Sequence, residues 1–215
     1  MIELDAVEAR VLGCLIEKEI TTPEYYPMTL NALLSACNQK SNRDPVVSYE
    51  EDDVSDALDR LRERQLLSTL TGGGNRVPKY GHRLQEKLNL GRRETALLCE
   101  LLVRGPQTLG ELRDRAGRMH RFTDADEVER CLRGLSERPE QPFVRVLPRA
   151  AGTKEPRWAQ LLSGEPLIAS VPEEPTRTRV NEHTRIEELE SQVSSLRERV
   201  FELEQQFASF RRQFE

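Results

Sequence analysis

One stretch of this chain occurs twice. Asp52-Asp53-Val54-Ser55-Asp56-Ala57-Leu58-Asp59-Arg60-Leu61-Arg62-Glu63-Arg64 returns at 126–138 as Asp-Glu-Val-Glu-Arg-Cys-Leu-Arg-Gly-Leu-Ser-Glu-Arg. Thr29-Leu30-Asn31-Ala32-Leu33 upstream is echoed by Thr108-Leu109-Gly110-Glu111-Leu112. Downstream, Arg76-Val77-Pro78-Lys79-Tyr80 is echoed by Lys154-Glu155-Pro156-Arg157-Trp158, and Leu84 by Leu162. Three matched blocks in one order imply a duplicated domain.

Each copy reads as three helices and a β-hairpin. In the first, Val7, Val11, Leu12, Cys14 and Leu15 share one helical face. Thr29 is placed to cap a second helix, and Ser48 with Glu51 to open a third that buries Val54, Ala57, Leu58 and Leu61. Leu66–Leu70 and Val77–Tyr80 read as strands around a Gly-rich turn. In the second copy, Ala96, Leu97, Leu98, Leu101 and Leu102 give the first helix. Thr108 with Glu111 caps the next, and Thr123 with Asp126 the third, which buries Val128, Leu132 and Leu135. Phe143–Leu147 and Arg157-Trp158 form the hairpin. The predicted fold is mainly α with small β-hairpins: two tandem winged-helix (helix-turn-helix) domains at 1–90 and 91–168, then a C-terminal coiled-coil helix.

The segment from Tyr26-Pro27-Met28-Thr29 through Cys37-Asn38-Gln39-Lys40-Ser41-Asn42-Arg43-Asp44-Pro45-Val46 resembles the signature of the YceH-like bacterial proteins. The likeness covers about 1–165 and continues into the tail. It implies tandem winged helices and brings no biochemical activity with it.

Residues 169–178, with Pro172 and Pro175, read as a linker. In 179–215 the residues Ile186, Leu189, Val193, Leu196, Val200, Leu203, Phe207, Phe210 and Phe214 alternate spacings of three and four. That is a heptad seam, and its pattern favours a parallel homodimer. Facing pairs Arg185–Glu190 and Arg199–Glu204 would attract across it, while Gln192–Arg197 and Gln206–Arg211 are neutral. Antiparallel pairing and a foreign helix are the alternatives.

Enzymatic chemistry is not expected. Gly72-Gly73-Gly74 lacks the Lys-Ser/Thr ending of a phosphate loop, and His82, His120 and His183 match no metal spacing. Asp52, Asp53 and Asp56 suit a helix N-terminus better than a cation. Cys14, Cys37, Cys99 and Cys131 sit singly and read as reduced thiols. No cofactor or metal is implied. The absence of a basic leader and of long apolar runs points to a cytoplasmic protein without a membrane span.

Charge is uneven. Residues 1–90 hold 11 basic against 15 acidic side chains, 91–168 hold 14 against 12, and 169–215 hold 7 against 10. Winged helices grip phosphates ahead of the third helix and at the wing. The cations so placed are Lys40, Arg43, Arg76 and Lys79 in the first copy. In the second they are Arg113, Arg115, Arg118, Arg121, Arg149, Lys154 and Arg157, with Arg130 and Arg133 on the third helix. The outward face of the first copy's third helix carries Asp52, Asp56, Asp59 and Glu63, which phosphates would repel. The expectation is therefore a dimeric regulator-like protein that binds double-stranded DNA mainly through its second domain. The alternative is a protein-interaction scaffold whose acidic first domain meets a basic partner, with Tyr25, Tyr26 and Pro27 as further candidate contacts.

Overall fold

The computed structural model describes residues 2–72, 75–149 and 155–164. The predicted linker and heptad seam lie outside them. By its contacts the chain divides into Met1–Ile168 and Ala169–Glu215, and the first unit holds both repeats. It is mainly helical with two small antiparallel hairpins.

In the first repeat α1 (Ala6–Thr21), a short 3-10 turn (Pro23–Tyr25), α2 (Leu30–Cys37) and α3 (Glu51–Glu63) precede strands β1 (Leu67–Gly72) and β2 (Asn75–His82). A helix that the periodicity does not reveal, α4 (Leu84–Leu88), leads into the second repeat. There α5 (Arg92–Arg104), α6 (Leu109–Ala116) and α7 (Ala125–Ser136) precede β3 (Val144–Val146) and β4 (Trp158–Gln160).

The two hairpins are tied to their helices in the same way. Met28, just ahead of the Thr29 cap, exchanges main-chain hydrogen bonds with Tyr80 (3.0 and 2.7 Å). Gln107, just ahead of the Thr108 cap, does so with Trp158 (3.0 and 2.7 Å). The aromatic that ends each matched hairpin block is thus the residue that joins the hairpin to the entry of the second helix.

Helix starts follow local chemistry, with two corrections. Thr108 and Glu111 form the expected reciprocal box (3.0 and 3.3 Å). The Ser48–Glu51 box does not form. Asn38 holds the Tyr49 backbone on both sides (2.9 and 2.8 Å), so the helix cannot begin until Glu50, whose N–H donates to Asp53 (2.9 Å). Thr123–Asp126 is likewise replaced. Asp124 caps α7 by accepting from the Glu127 N–H (2.7 Å), and Thr123 donates its N–H and hydroxyl to Glu127 (2.8 Å each).

The first helices of the two repeats are not one-faced. Every residue from Glu8 to Glu17 in α1 and from Thr95 to Val103 in α5 is buried. Each helix is covered on one side by its own repeat and on the other by its counterpart. They touch at equivalent steps, since Gly13 and Cys99 each stand eight residues beyond their N-caps, Asp5 and Gly91. The Cys99 thiol donates to the Gly13 carbonyl at 3.3 Å. A Cβ on Gly13 would lie 2.7 Å from Val103 Cγ1 and 3.0 Å from Leu102 Cβ.

Gly13→Ala gains about 1 kcal/mol of helix propensity but overpacks a contact where such changes cost roughly 1–3 kcal/mol. A net loss is expected in chemical denaturation. Gly134→Ala in α7, where a Cβ meets nothing within 4 Å, is expected to stabilise by about 0.5–1 kcal/mol.

Candidate nucleic-acid interface

The cations named from sequence separate into three groups. The first lies at the junction of the repeats. Arg43, its side chain 0% exposed, donates to Glu17 (2.5 Å), to the Ala36 carbonyl (3.0 Å) and to Gln39 (3.1 Å). Arg118 reaches the same Glu17 (2.5 Å) and also Glu100 (2.8 Å). Glu17 and Glu100 are 2% and 0% exposed. Arg104 joins Glu100 (3.1 Å) and donates to the Asn42 side chain. The Asp44 N–H, bonded to the Val103 carbonyl at 3.0 Å, ties the same loop to α5.

This corrects the expectation for Arg43, whose buried guanidinium leaves the set of phosphate contacts. Arg118 is paired to Glu17 and Glu100 while its side chain stays 30% exposed. Within the stretch that carries the family likeness, Asn42, Arg43 and Asp44 reach this junction, while Lys40 stays exposed.

A second group is tied within the second repeat. Arg157 donates to Glu111 (2.9 Å) and the Pro106 carbonyl (2.8 Å), and Arg115 to Gln107 (2.9 Å) and Glu111 (3.3 Å). Burial pushes the Glu111 carboxyl up, but the Thr108 N–H and the Arg157 and Arg115 charges outweigh it and hold it below its usual range.

The third group remains at the surface. Among the described residues Arg113 and Arg133 pair only with Asp114 (3.0 Å) and Glu129 (2.6 Å), neighbours on their own helices. Such exposed pairs are worth about 0–1 kcal/mol and can be exchanged for phosphate. Arg121, Arg130, Arg149 and Lys40 are exposed and have no ion pair among the described residues. Lys79 is half-buried on β2, where Arg76 also stands, and Lys154 lies outside the described residues.

The two third helices differ in sign on the outside. Arg60 and Arg64 of α3 bend back to Asp5 (2.8 Å) and to the buried Glu8 (3.2 Å). Asp52, Asp56 and Glu63 are left exposed, with Asp59 paired to Arg62 (2.8 Å). On α7 the exposed positions include Asp126, Arg130 and Arg133. Glu127 is drawn inward by the Thr123 N–H, the Thr123 hydroxyl and then Arg93, which together bring its carboxyl down to about 2. Sequence reasoning missed two sets: Arg60 and Arg64 with Glu8, and Arg104 with Glu100 beside Glu17. A buried Glu at mid-helix among apolar neighbours, as in Leu15-Ile16-Glu17, is the one signal that was available.

Among the described residues no group of three His, Cys, Asp or Glu side chains is placed to hold a metal, and no helix is long and apolar enough to cross a membrane.

These features define a class: mainly helical proteins in which two copies of a three-helix-and-hairpin unit are fused through a buried carboxylate–arginine junction. Residues 4–153 match the family described as "Protein of unknown function, DUF480", and the chain belongs to it. It is 54% identical to a "UPF0502 protein" of Pelobacter propionicus over 99% of this chain and 98% of the relative. A "UPF0502 protein" of Solibacter usitatus is 50% identical over 99% and 98%. One from Pectobacterium atrosepticum is 48% identical over 91% and 95%.

Burial pushes the Glu17 carboxyl up, but the Arg43 hydrogen bond and the Arg43 and Arg118 charges outweigh it, so the net shift is downward. Its folded value therefore lies below the unfolded one, about 4.3. The stabilisation is fully present above the unfolded value and is lost as pH falls through the folded value. Glu17→Gln is expected to cost about 3 kcal/mol at neutral pH. Urea melts should show that deficit narrowing as pH falls from the unfolded value through the lower folded one, where wild-type Glu17 takes up its proton.

Proposed function

We propose that this is a non-enzymatic, tandem winged-helix protein that dimerises through its C-terminal heptads and binds double-stranded DNA through phosphates. The second repeat leads. The observation that carries this reading is the charge left over once the buried network is taken out. Arg121, Arg130 and Arg149 are exposed without an ion pair among the described residues, and Arg113 and Arg133 are held only by weak surface pairs. The matched hairpin-to-helix ties at Met28–Tyr80 and Gln107–Trp158 support a winged-helix reading of both units.

A specific observation favours a second reading. With Arg60 and Arg64 paired to Asp5 and Glu8, the outer face of α3 presents Asp52, Asp56 and Glu63 to solvent. Such a face would meet a basic protein, and the chain would then serve as a scaffold.

The test is fluorescence-anisotropy titration of the full chain with duplex DNA at several salt concentrations. Neutralising about four phosphates gives a slope of log affinity against log salt near −3.6. Arg121→Ala with Arg130→Ala and Arg133→Ala is expected to weaken binding at least tenfold and to leave the melting temperature unchanged. Lys40→Ala with Lys79→Ala should weaken it less. Equal losses would overturn the leading role of the second repeat, and no binding at low salt would favour the scaffold. A chain ending at Pro172 is expected to sediment as a monomer and to bind DNA more weakly.

A further inference from the structure

Between the two repeats the charge is reversed at two matched positions of the third helix. Asp52, Asp56, Asp59 and Glu63 of α3 correspond to Asp126, Arg130, Arg133 and Glu137 at and just beyond α7. Spacings of four, three and four put each set in one line along its helix, roughly 16 Å long at about 1.5 Å per residue. Every one of these residues is exposed. The ends of both lines are acidic, but the middle is Asp56 and Asp59 on α3 and Arg130 and Arg133 on α7. The neighbouring Arg60 and Arg64 do not offset the first, because they pair with Asp5 and the buried Glu8. Asp59 and Arg133, 62% and 65% exposed, pair with Arg62 and Glu129 on their own helices, weak contacts that a better-placed partner can replace. Helix α3 packs on β1 and α7 on β3. Those hairpins expose Leu70 and Val77 in the first repeat and Val146 in the second.

We propose that α3 of one copy docks across α7 of a second copy of this chain, with Asp56 and Asp59 meeting Arg130 and Arg133. A second copy fits because it carries two guanidinium groups at the same three-residue spacing as the two carboxylates, and a guanidinium fork matches a carboxylate. Helices whose side-chain ridges interlock commonly cross at about 50°. At such a crossing the middles touch, while the like-charged ends, Asp52 and Glu63 against Asp126 and Glu137, swing apart. Both faces of one chain are open to solvent, so the contact is made between chains. It is head-to-tail: the first copy keeps its own α7 face and the second its own α3 face, and the contact can be repeated. Resting on exposed charges, it is weak and sensitive to salt. It needs no DNA, although a duplex would compete for the same face of α7.

Sedimentation velocity of the full-length protein reads this contact, over a range of concentrations at low salt and at about 1 M salt, where screening acts beyond roughly 3 Å. At low salt, species larger than those at high salt are expected to grow in as concentration rises. Asp56→Arg with Asp59→Arg, and separately Arg130→Asp with Arg133→Asp, should each raise the concentration needed at least tenfold. The first pair moves the net charge of −5 closer to zero, which by itself would favour association, so a loss there is specific to the contact. The chain with all four substitutions again opposes unlike charges and is expected to regain the larger species, which a folding defect could not do. Identical sedimentation at both salts would overturn the proposal and leave the acidic face of α3 to a basic protein of another kind. Growth that survives in either double variant, or that does not return with all four substitutions, would overturn it as well.

Discussion

Two carboxylates in the middle of the protein set the terms for the rest of the structure. Glu17 and Glu100 sit on α1 and α5, the helices by which the repeats are fused, and neither has water to solvate it. Each must be met by guanidinium groups, and those come from both copies: Arg43 from the first, Arg118 and Arg104 from the second. A buried ion pair adds little net stability over a well-packed apolar pair, yet losing one partner is costly. Such a network therefore fixes register more than it adds strength. It holds the two repeats in one relation, at the point where Gly13 lets the helices approach.

That demand decides which cations remain for a ligand. Arg43 and Arg118 stand ahead of the third helix of their repeats, and both are paired to carboxylates at the junction. Arg60 on α3 pairs with Asp5, and Arg64 just beyond the helix with the buried Glu8. The charges buried in the first repeat, Glu8, Glu17, Arg10 and Arg43, cancel, so its surface stays net acidic, and the second repeat keeps its exposed arginines. Duplication has thus left two similar backbones with different outer surfaces, which is why the proposed DNA contacts are unequal.

Much of the fold was legible in sequence because it rests on local periodicity. The buried stripe Val54, Ala57, Leu58 and Leu61 on α3, and its counterpart Val128, Leu132 and Leu135 on α7, are where spacing placed them. The Thr108–Glu111 cap depends only on residues three apart and is present. The start of α3 was not legible, because Asn38, eleven residues away, pins Tyr49. Helix α4 is too short to show a period.

For the candidate site the division is sharper. The chain's own order of residues determined the duplication, the three helices and hairpin of each copy, and the acidic outer face of α3, since all depend on neighbours within a turn or a hairpin. Only the tertiary structure decided which arginines are free. Arg43 and Arg121 look alike as letters, each a cation before a third helix, but one faces a buried glutamate from another helix and the other faces water. That difference is set by a charge 26 positions away in the chain, and no spacing rule reaches that far.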